Sequence, residues 1–595
     1  MSSTMEILER ISQNSQAHSD EVFTRVFRYL LRPDIYFEAY SHLYANQGAA
    51  TKGVDNDTAD GFSEQKVTKI IEQLRNGTFQ PKPTRRVYIP KANGKLRPIS
   101  IPTFTDKLVQ EAMRMILEAV YEPLFSNSSH GFRPNRSCHT ALEQVKKDFT
   151  GVRWFVEGDI KGCFDNIDHA RLIGFVNVKI KDARFIQLLW AFLKAGYLDN
   201  WRYNKTYSGT PQGGIVSPIL ANIYLHELDK FISILAKGFA KPKDRARNPL
   251  YDSFTKQILA VRAKIDTAEE AEKRLLLKEI QRLKVERRKF PCKSQTDKRL
   301  AYVRYADDFL VGIVGSKEDA EEIKRQLTAF VDDALNMELS AEKTLITHSD
   351  NYARFLGYDI RVRRDNKPKR TKAGKVVRTL NNKVERCIPN TDKIEKFLFS
   401  HGVVWKNGNK LVPCKRVKLI GLTDLEIVTA YNAELRGICN YYNLASNFGD
   451  LHYFSYLMEY SCLKTLACKH KTSVSHIRDK YRDGKGWSIP YQCAKGERHA
   501  RLATYQDCKS KDVSDEIPMT TVKHLHSRNS FESKLKAKVC AICNRTDAEA
   551  YQIHHVHKVK DLKGKAVWEQ IMIAKRRKTI VVCGECHKRI HGKKD

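Results

Sequence analysis

Two adjacent aspartates, Asp307 and Asp308, are the residues of this sequence whose placement most clearly suggests chemistry. They follow Tyr305-Ala306 and stand between two apolar stretches, 300–303 and 309–314, a pattern that predicts strand, tight turn and strand. Carboxylates held this close together repel each other and need cations. Pairs of Mg²⁺ ions bound by such acids are the machinery of nucleotidyl transfer. The alternative is a solvated turn, and the flanking strands argue against it.

A third carboxylate for such a site should come from the end of another strand. Asp159 fits, because it follows the apolar run 154–157 and opens the turn 161–165. The sequence therefore predicts that Asp159 joins the aspartate pair.

Cysteines and histidines form a second constellation near the end of the sequence. Cys540-x-x-Cys543 and Cys583-x-x-Cys586 are two knuckles separated by 39 residues. Four thiolates can close a tetrahedral Zn²⁺ site, and in so short a segment such a staple would replace missing core. Free thiols are the alternative, and that is how we interpret the scattered remaining cysteines.

Hydrophobic periodicity predicts the elements that must position these residues. Helices are expected over 1–35, 105–124 and 390–480, with a β-hairpin over 86–99 whose turn is basic. Residues 255–290 mix apolar and charged side chains, which predicts one or two exposed helices inserted into a compact domain.

The net charge is +35, from 104 Lys and Arg against 69 Asp and Glu, which points to a polyanionic partner. Residues 361–380 alone hold nine basic residues against one Asp, and 536–595 carry a net charge of +9. No window holds about 18 uninterrupted apolar residues, and the first residues lack the apolar core of a signal peptide. Nucleic acid is therefore favoured over a membrane as the partner.

Several blocks are similar in type and order to the motifs of reverse transcriptases, and especially to those of group II intron-encoded proteins. The blocks are Ser129–Pro134, Gly158–His169, Gly209–Gly214, Tyr305–Asp308, Leu339–Thr344, Arg354–Tyr358 and Glu434–Tyr442. This resemblance runs essentially from end to end of the sequence.

The resemblance implies an α+β multidomain fold: a right-hand reverse transcriptase, a helical thumb and maturase domain, and a small ββα-metal HNH domain. The implied divisions are an N-terminal extension and fingers, a palm with a helical insertion at about 237–298, the thumb and maturase domain X, a DNA-binding segment and the HNH endonuclease. They cover 1–150, 151–360, 361–480, 481–535 and 536–595 in that order.

In such a polymerase Asp159, Asp307 and Asp308 would bind two Mg²⁺ ions. Phe164 would lie under the sugar of the incoming nucleotide and select deoxynucleotides; a plain core Phe is the alternative. The resemblance also assigns Gln212 to the nucleotide pocket, and Lys91 and Arg97 to the triphosphate. Each of these two cations could equally be a solvated charge.

The histidines resemble those of HNH endonucleases. His555 would be the general base that activates water, while His554, His587 and His591 would hold one divalent ion against the scissile phosphate. The family usually has Glu two residues before the histidine pair, where this sequence has Gln552. A structural role for the histidines is the alternative.

The implied function is multiple: RNA-directed DNA polymerase, intron-splicing maturase and site-specific DNA endonuclease, acting in intron homing by target-primed reverse transcription. The implied partners are group II intron RNA, a double-stranded DNA target and deoxynucleoside triphosphates. A homodimer is left open, and the expected location is a bacterial cytoplasm, on the nucleoid as a ribonucleoprotein. The alternatives are a maturase with an inactive nuclease, or another bacterial reverse transcriptase. The DNA target, the intron subclass, the effect of Gln552 and the role of the 255–290 insertion stay open.

Overall fold

The computed structural model alternates helices with small, mostly antiparallel sheets along the chain, as the α+β prediction requires. It describes residues 3–90, 94, 96–199, 202–206, 208–209, 213–241, 247–265, 268–290, 292, 297–365, 368–370, 374, 376–378, 381–484, 486–493, 496–509 and 530–592. Lys91 and Gln212 lie outside the described residues. Among the helices in these ranges, none is long and apolar enough to cross a membrane.

The described part of the N-terminal region contains five α-helices and a β-hairpin. Its elements are α1 (Thr4–Ala17), α2 (Asp34–Leu43), β1 (Phe62–Ser63), α3 (Glu64–Arg75), β2 (Thr84–Pro90), β3 (Leu96–Ile101), α4 (Phe104–Tyr121) and α5 (Cys138–Asp148). A single helix over 1–35 is wrong, since α1 ends at Ala17. Phe23 instead exchanges backbone hydrogen bonds with Lys179 and Lys181, a tertiary pairing that overrides helix propensity.

The middle of the chain is built on an antiparallel sheet. Its elements are β4 (Trp154–Asp159), α6 (Cys163–Asn166), α7 (His169–Asn177), α8 (Ala183–Lys194), β5 (Tyr197–Asp199), β6 (Arg202–Asn204), α9 (Ser217–Phe239), α10 (Pro249–Ile265), α11 (Glu270–Arg287), β7 (Arg299–Tyr305), β8 (Asp308–Val314), α12 (Lys317–Asp333) and β9 (Ile346–His348). The strand order is β7-β8-β4-β9. Successive residues of β7, such as Tyr302 and Val303, enter two different hydrophobic cores. Both faces of the sheet are thus covered, which explains its continuous apolar strands.

The helical insertion predicted within this region is present as the hairpin α10–α11. It has a small core of its own, formed by Ile258, Ile280 and Leu283. The two ends of the insertion lie side by side where it joins the palm, and there the N–H of Lys241 donates to the carbonyl of Lys298 at 3.1 Å.

The following region is helical, as expected, but it also contains hairpins. Its elements are β10 (Ala353–Phe355), β11 (Tyr358–Asp365), β12 (Pro368–Arg370), β13 (Val376–Arg378), β14 (Asn381–Cys387), α13 (Lys396–Ser400), β15 (Val404–Asn407), β16 (Lys410–Pro413), α14 (Asp424–Tyr441), α15 (Leu451–Lys469), α16 (Val474–Lys480), β17 (Arg482–Asp483), β18 (Gly486–Cys493) and β19 (Gly496–Arg501). The hairpin β15–β16 was not expected within 390–480. Helices α14 and α15 share a core with the face of the palm sheet that carries Val303 and Leu310.

The C-terminal module completes a sheet with the N-terminal region. Its elements are α17 (Phe531–Lys536), β20 (Tyr551–His555), α18 (Val567–Lys575), β21 (Thr579–Cys583) and α19 (Gly584–Ile590). The strand order is β1-β20-β21, so a two-residue strand from the start of the chain pairs with the module. Buried residues of the module, including Ile553 and Val582, join the core that α2 and α4 form.

Candidate catalytic sites

The predicted carboxylates meet at one end of the palm sheet. Asp159 ends β4 and Asp308 begins β8, and the two are directly paired across these strands. Asp307 stands next to them in the turn, where Ala306 has φ +57°. Because a residue with a side chain rarely adopts this conformation, its surroundings must hold the turn.

Burial and mutual repulsion disfavour the charged forms of Asp307 and Asp308. Burial raises the pKa of Asp308 to about 7, and the negative charges of Asp307 and Asp159 act in the same direction. Burial also raises the pKa of Asp307, against the lowering effects of Lys343 and Arg97. The Nζ of Lys343 lies 2.8 Å from an oxygen of Asp159. A site in which two adjacent carboxylates resist ionisation in this way is suited to divalent cations.

A buried arginine, Arg304, forms hydrogen bonds that hold the turn carrying Asp307 in place. Arg304 is fully buried and pairs with Asp229 through two contacts, of 2.8 and 2.6 Å. It also donates to the carbonyl of Ala306 at 2.9 Å and to Ser129 Oγ at 2.8 Å. Burial would lower the pKa of Arg304, but the charge of Asp229 raises it above its ordinary value. The paired, fully bonded guanidinium therefore fixes the carbonyl next to Asp307.

Glycines let the backbone approach this turn closely. A Cβ on Gly131 would lie 2.3 Å from the backbone nitrogen of Ala306, and one on Gly158 would lie 2.1 Å from the ring of Phe309. Any larger residue at these two positions would displace the turn or the strand beside it.

Phe164 follows Asp159 on the short helix α6 and is half-buried. Its ring meets that of Phe132 edge to face, with centroids 6.1 Å apart. The backbone of Gly209 lies against α6, where a Cβ would come within 2.6 Å of the carbonyl of Asp165. The helix that carries the predicted residue Phe164 therefore packs against the backbone of Gly209, and the charge of Arg97 on β3 acts on Asp307.

The four cysteines of the C-terminal module form one cluster. Their sulfur atoms all lie within 4.8 Å of one another, and those of Cys543 and Cys583 are 3.8 Å apart. Burial tends to raise the pKa of Cys540, but backbone N–H groups of Cys543 and Cys583 lower it to about 7. Sulfur ligands in this arrangement fit a tetrahedral zinc ion.

Three histidines of the same module surround a carboxylate from the N-terminal region. Asp60 lies 3.1 Å from His554 Nδ1, 3.2 Å from His587 Nε2 and 2.7 Å from His591 Nε2. Burial tends to raise the pKa of Asp60, but its contacts with His554, His587 and the N–H of His555 hold it well below its usual range. This donor set of nitrogen and oxygen atoms fits a divalent ion.

The predicted general base lies beside this cluster. Burial lowers the pKa of His555, which leaves the neutral ring that a base needs. Its Nε2–H donates to the carbonyl of Tyr44 at 2.9 Å. Gln552 accepts a 2.7 Å hydrogen bond from His587 Nδ1, so this amide orients the imidazole where the family has Glu.

Three families match successive parts of the sequence. Reverse transcriptase (RNA-dependent DNA polymerase) matches 89–236, Type II intron maturase matches 381–533, and AI2M/AI1M-like, HNH endonuclease matches 540–587. The group II intron-encoded protein LtrA of Lactococcus lactis subsp. cremoris is 56% identical over 596 residues, covering 99% of each chain. The chain belongs to the group II intron-encoded proteins.

Other relatives are more distant. An uncharacterized 91 kDa protein in the cob intron of Schizosaccharomyces pombe is 35% identical, across 99% of this chain and 72% of its own. The protein YkfC of Escherichia coli is 33% identical, across 56% of this chain and 82% of its own. A telomerase structure from Candida tropicalis covers 75% of this chain and 58% of its own at 14% identity, with a TM-score of 0.33, too low to bear on the fold.

This group II intron-encoded protein thus combines a reverse transcriptase, a maturase and an HNH endonuclease in one chain. Its maturase region presents tyrosines in two ways. Tyr441 and Tyr442 pack against the palm, with the hydroxyl of Tyr441 donating to the carbonyl of Leu356 at 2.7 Å. Tyr453 and Tyr456 are exposed on α15 with nearly parallel rings. The first pair connects the maturase region to the palm, and the second pair is exposed to solvent.

Sequence reasoning missed four residues of the group II intron-encoded protein's sites. Asp229, Arg304 and Lys343 brace or contact the carboxylates, and Asp60 enters the histidine cluster. A signal existed for Arg304, a charge inside an apolar strand. No signal in the sequence joined Asp60 to histidines nearly 500 residues away.

Proposed function

We propose that this protein carries out intron homing by target-primed reverse transcription. The intron RNA inserts into one strand of a DNA target, the C-terminal module nicks the other, and the palm copies the RNA from the new 3′ end. The convergence of Asp159, Asp307 and Asp308 at one sheet end carries the proposal. The proposal includes the division into fingers, palm, maturase domain, DNA-binding segment and HNH endonuclease that the resemblance implies.

In the palm, Asp159, Asp307 and Asp308 would hold two Mg²⁺ ions. Such ions activate a primer 3′-hydroxyl and stabilise the leaving pyrophosphate. Lys343 contacts Asp159 at 2.8 Å and offsets part of the negative charge of the site, and Arg304 bonds the carbonyl of Ala306 and so holds the turn that carries Asp307. Phe164 would exclude a 2′-hydroxyl, and Arg97 would meet the triphosphate. Gln212 and Lys91 keep their proposed roles by resemblance.

In the C-terminal module, His555 would take a proton from the attacking water. His554, His587 and His591 would hold a divalent ion, which polarises the scissile phosphate when bound. Zinc held by the four cysteines would fix the relative positions of β21 and α19, because Cys583 and Cys586 span their junction.

The maturase region offers a surface for folded RNA. Tyr453, Tyr456 and Tyr460 follow one another along α15, with the rings of the last two 4.6 Å apart. Residues 361–480 carry a net charge of +14. Exposed aromatic rings can stack on bases while Lys and Arg neutralise phosphate, so this face would bind the intron RNA.

The polymerase assignment is tested by Asp308→Ala in a primer-extension assay on an RNA template with Mg²⁺. The variant should make no cDNA, because one of the three carboxylates is gone, yet it should still promote intron splicing. Asp332→Ala, an exposed carboxylate on α12, is the matched control and should behave as the parent. Loss of splicing with intact RNA binding would contradict the separation of the two activities.

The nuclease assignment is tested by His555→Ala in a strand-specific nicking assay with the assembled ribonucleoprotein. Nicking of the second strand should be lost while primer extension persists. His476→Ala, an exposed histidine on α16, controls for loss of an imidazole. A His555→Ala variant that still nicks would refute the assignment and favour a maturase with a different cleavage mechanism.

A further inference from the structure

Asp60 reaches the nuclease cluster from outside the nuclease module. It lies just before β1, yet its carboxylate stands among His554, His587 and His591, and the four ligand atoms lie within 4.8 Å of one another. In this group no other carboxylate takes part, and the remaining three donors come from a single module.

Backbone pairing fixes this approach. Phe62 pairs with Ile553 and Ser63 with Gln552, and the N–H of Gly61 donates to the carbonyl of Ile553 at 2.9 Å. The docked strand is anchored because Phe62 is fully buried beneath the N-terminal helices. Asp60 is therefore delivered by a built interface between two regions.

The positions of the donor atoms fit a cation among these groups. His587 Nδ1 lies 2.7 Å from Oε1 of Gln552, and this contact turns its Nε2 toward Asp60 at 3.2 Å. His554 is 3% exposed; its Nδ1 lies 3.1 Å from Asp60 without hydrogen-bond geometry, and among the described residues its Nε2 has no hydrogen-bond partner. A buried imidazole in this condition is poised to bind an ion.

We propose that Asp60 is a fourth ligand of the nuclease ion, lent by the N-terminal region, and that it occupies the position a scissile phosphate must take. This rests on the proposed ion site of the three histidines. The docked module would then hold its ion in a closed sphere, and DNA cleavage requires displacement of the Asp60 carboxylate.

The position of His555 agrees with a closed state. The side chain of His555 is buried. Its backbone N–H donates to Asp60 at 2.7 Å, and its ring Nε2–H donates to the carbonyl of Tyr44 at 2.9 Å. The general base is thus engaged by the same region that supplies the fourth ligand. Opening this one interface would free both the base and the coordination position.

The test measures Mn²⁺ binding to the full-length, zinc-loaded protein by the electron paramagnetic resonance signal of free Mn²⁺. All variants carry Asp307→Asn and Asp308→Asn, which removes the polymerase site from the titration. Adding Asp60→Asn should weaken binding about tenfold or more, the effect typical of losing a contact that tunes a metal site. Asn keeps an oxygen that can accept the His555 N–H, so docking is preserved.

Two further variants make the result decisive. Asp55→Asn, which removes a loop carboxylate paired with Lys82, should leave the affinity unchanged. His587→Ala should abolish binding; if it does not, the proposed ion site itself fails. If His587→Ala abolishes binding while Asp60→Asn binds as the parent does, the ion site stands and the role of Asp60 is refuted.

Nicking tests the second part of the proposal. With the palm carboxylates intact and Mn²⁺ saturating, Asp60→Asn should nick DNA several-fold faster without intron RNA, because phosphate no longer competes with a carboxylate. An equal or lower rate would contradict the exclusion of phosphate by Asp60.

Discussion

At the residue scale, the local sequence pointed to the candidate catalytic carboxylates, but it did not point to the buried residues that position them. Asp307 and Asp308 were evident because a strand-turn-strand pattern encloses them. Asp229 was not, because its partner Arg304 lies 75 residues further along the chain. Such pairings arise only when α9 packs under the sheet, and no periodicity within either segment records that contact. The same holds for Asp60.

Arg304→Met tests the brace. It should destabilise the protein by about 3–5 kcal/mol, because Asp229 is left buried and uncompensated. It should also reduce primer extension, since the carbonyl of Ala306 loses its donor. Thermal unfolding and primer extension measure the two effects.

The double variant Arg304→Met, Asp229→Leu separates the two effects. Removing both charges should recover most of the stability while polymerisation stays impaired. Arg325→Met, at an exposed arginine on α12, should change neither measurement. A stable Arg304→Met variant with full activity would show that the turn needs no brace.

At the element scale, long periodic segments were predictable and short hairpins were not. Helix α4 has a wide apolar face, with Leu108, Ala112 and Ile116 at helical spacing, and all but a few of its residues are buried. The hairpin β15–β16 has only four residues per strand, with Trp405 half exposed, too short for a pattern to separate from a loop. The break after α1 depends on the pairing of Phe23 with Lys179 and Lys181, which no local pattern records.

The contact between α2 and α4 predicts a pH-dependent stability. Burial would lower the pKa of His42, but hydrogen bonds to Glu111 and Glu38 raise it to about 9. Because the folded-state pKa lies above the ordinary value, this stabilisation is complete below about pH 6.5 and is lost as pH rises through 9.

His42→Gln should therefore cost about 1–3 kcal/mol near pH 6 and almost nothing above pH 9. Unfolding of parent and variant across this range measures the difference. His18→Gln, an exposed histidine, is the control. A difference that does not change with pH would mean that His42 is not charged in the folded protein.

The insertion α10–α11 should be dispensable for polymerisation. Its small core is separate from the main ones, and the backbone of Lys241 and Lys298 is already hydrogen-bonded at its base. Replacing residues 243–296 with a short glycine linker should leave primer extension intact, because closing so short a gap costs little.

Splicing by the same variant shows whether the insertion touches RNA. Leu283→Asp, which should disrupt only the small core, is the companion variant. Loss of primer extension in both would show that the insertion supports the palm.

At the scale of the whole molecule, the charge of +35 is spread over several regions of the chain. The maturase region has the basic and aromatic character suited to folded RNA, and the C-terminal module has the charge suited to DNA. The sequence predicted from its composition that both regions are basic. It could not predict that the nuclease docks on the N-terminal region, because β1 is two residues long and carries no recognisable strand pattern.

The most direct test of the account is whether cDNA becomes joined to a nicked DNA target in a purified reaction. Ribonucleoproteins of the parent, Asp308→Ala and His555→Ala forms would each be given a linear target and deoxynucleotides, and DNA-linked cDNA would be measured. The parent should produce it. Asp308→Ala should nick without extending, and His555→Ala should do neither, although it still extends an added primer. DNA-linked cDNA in the His555→Ala reaction would contradict the claim that the C-terminal module supplies the primer.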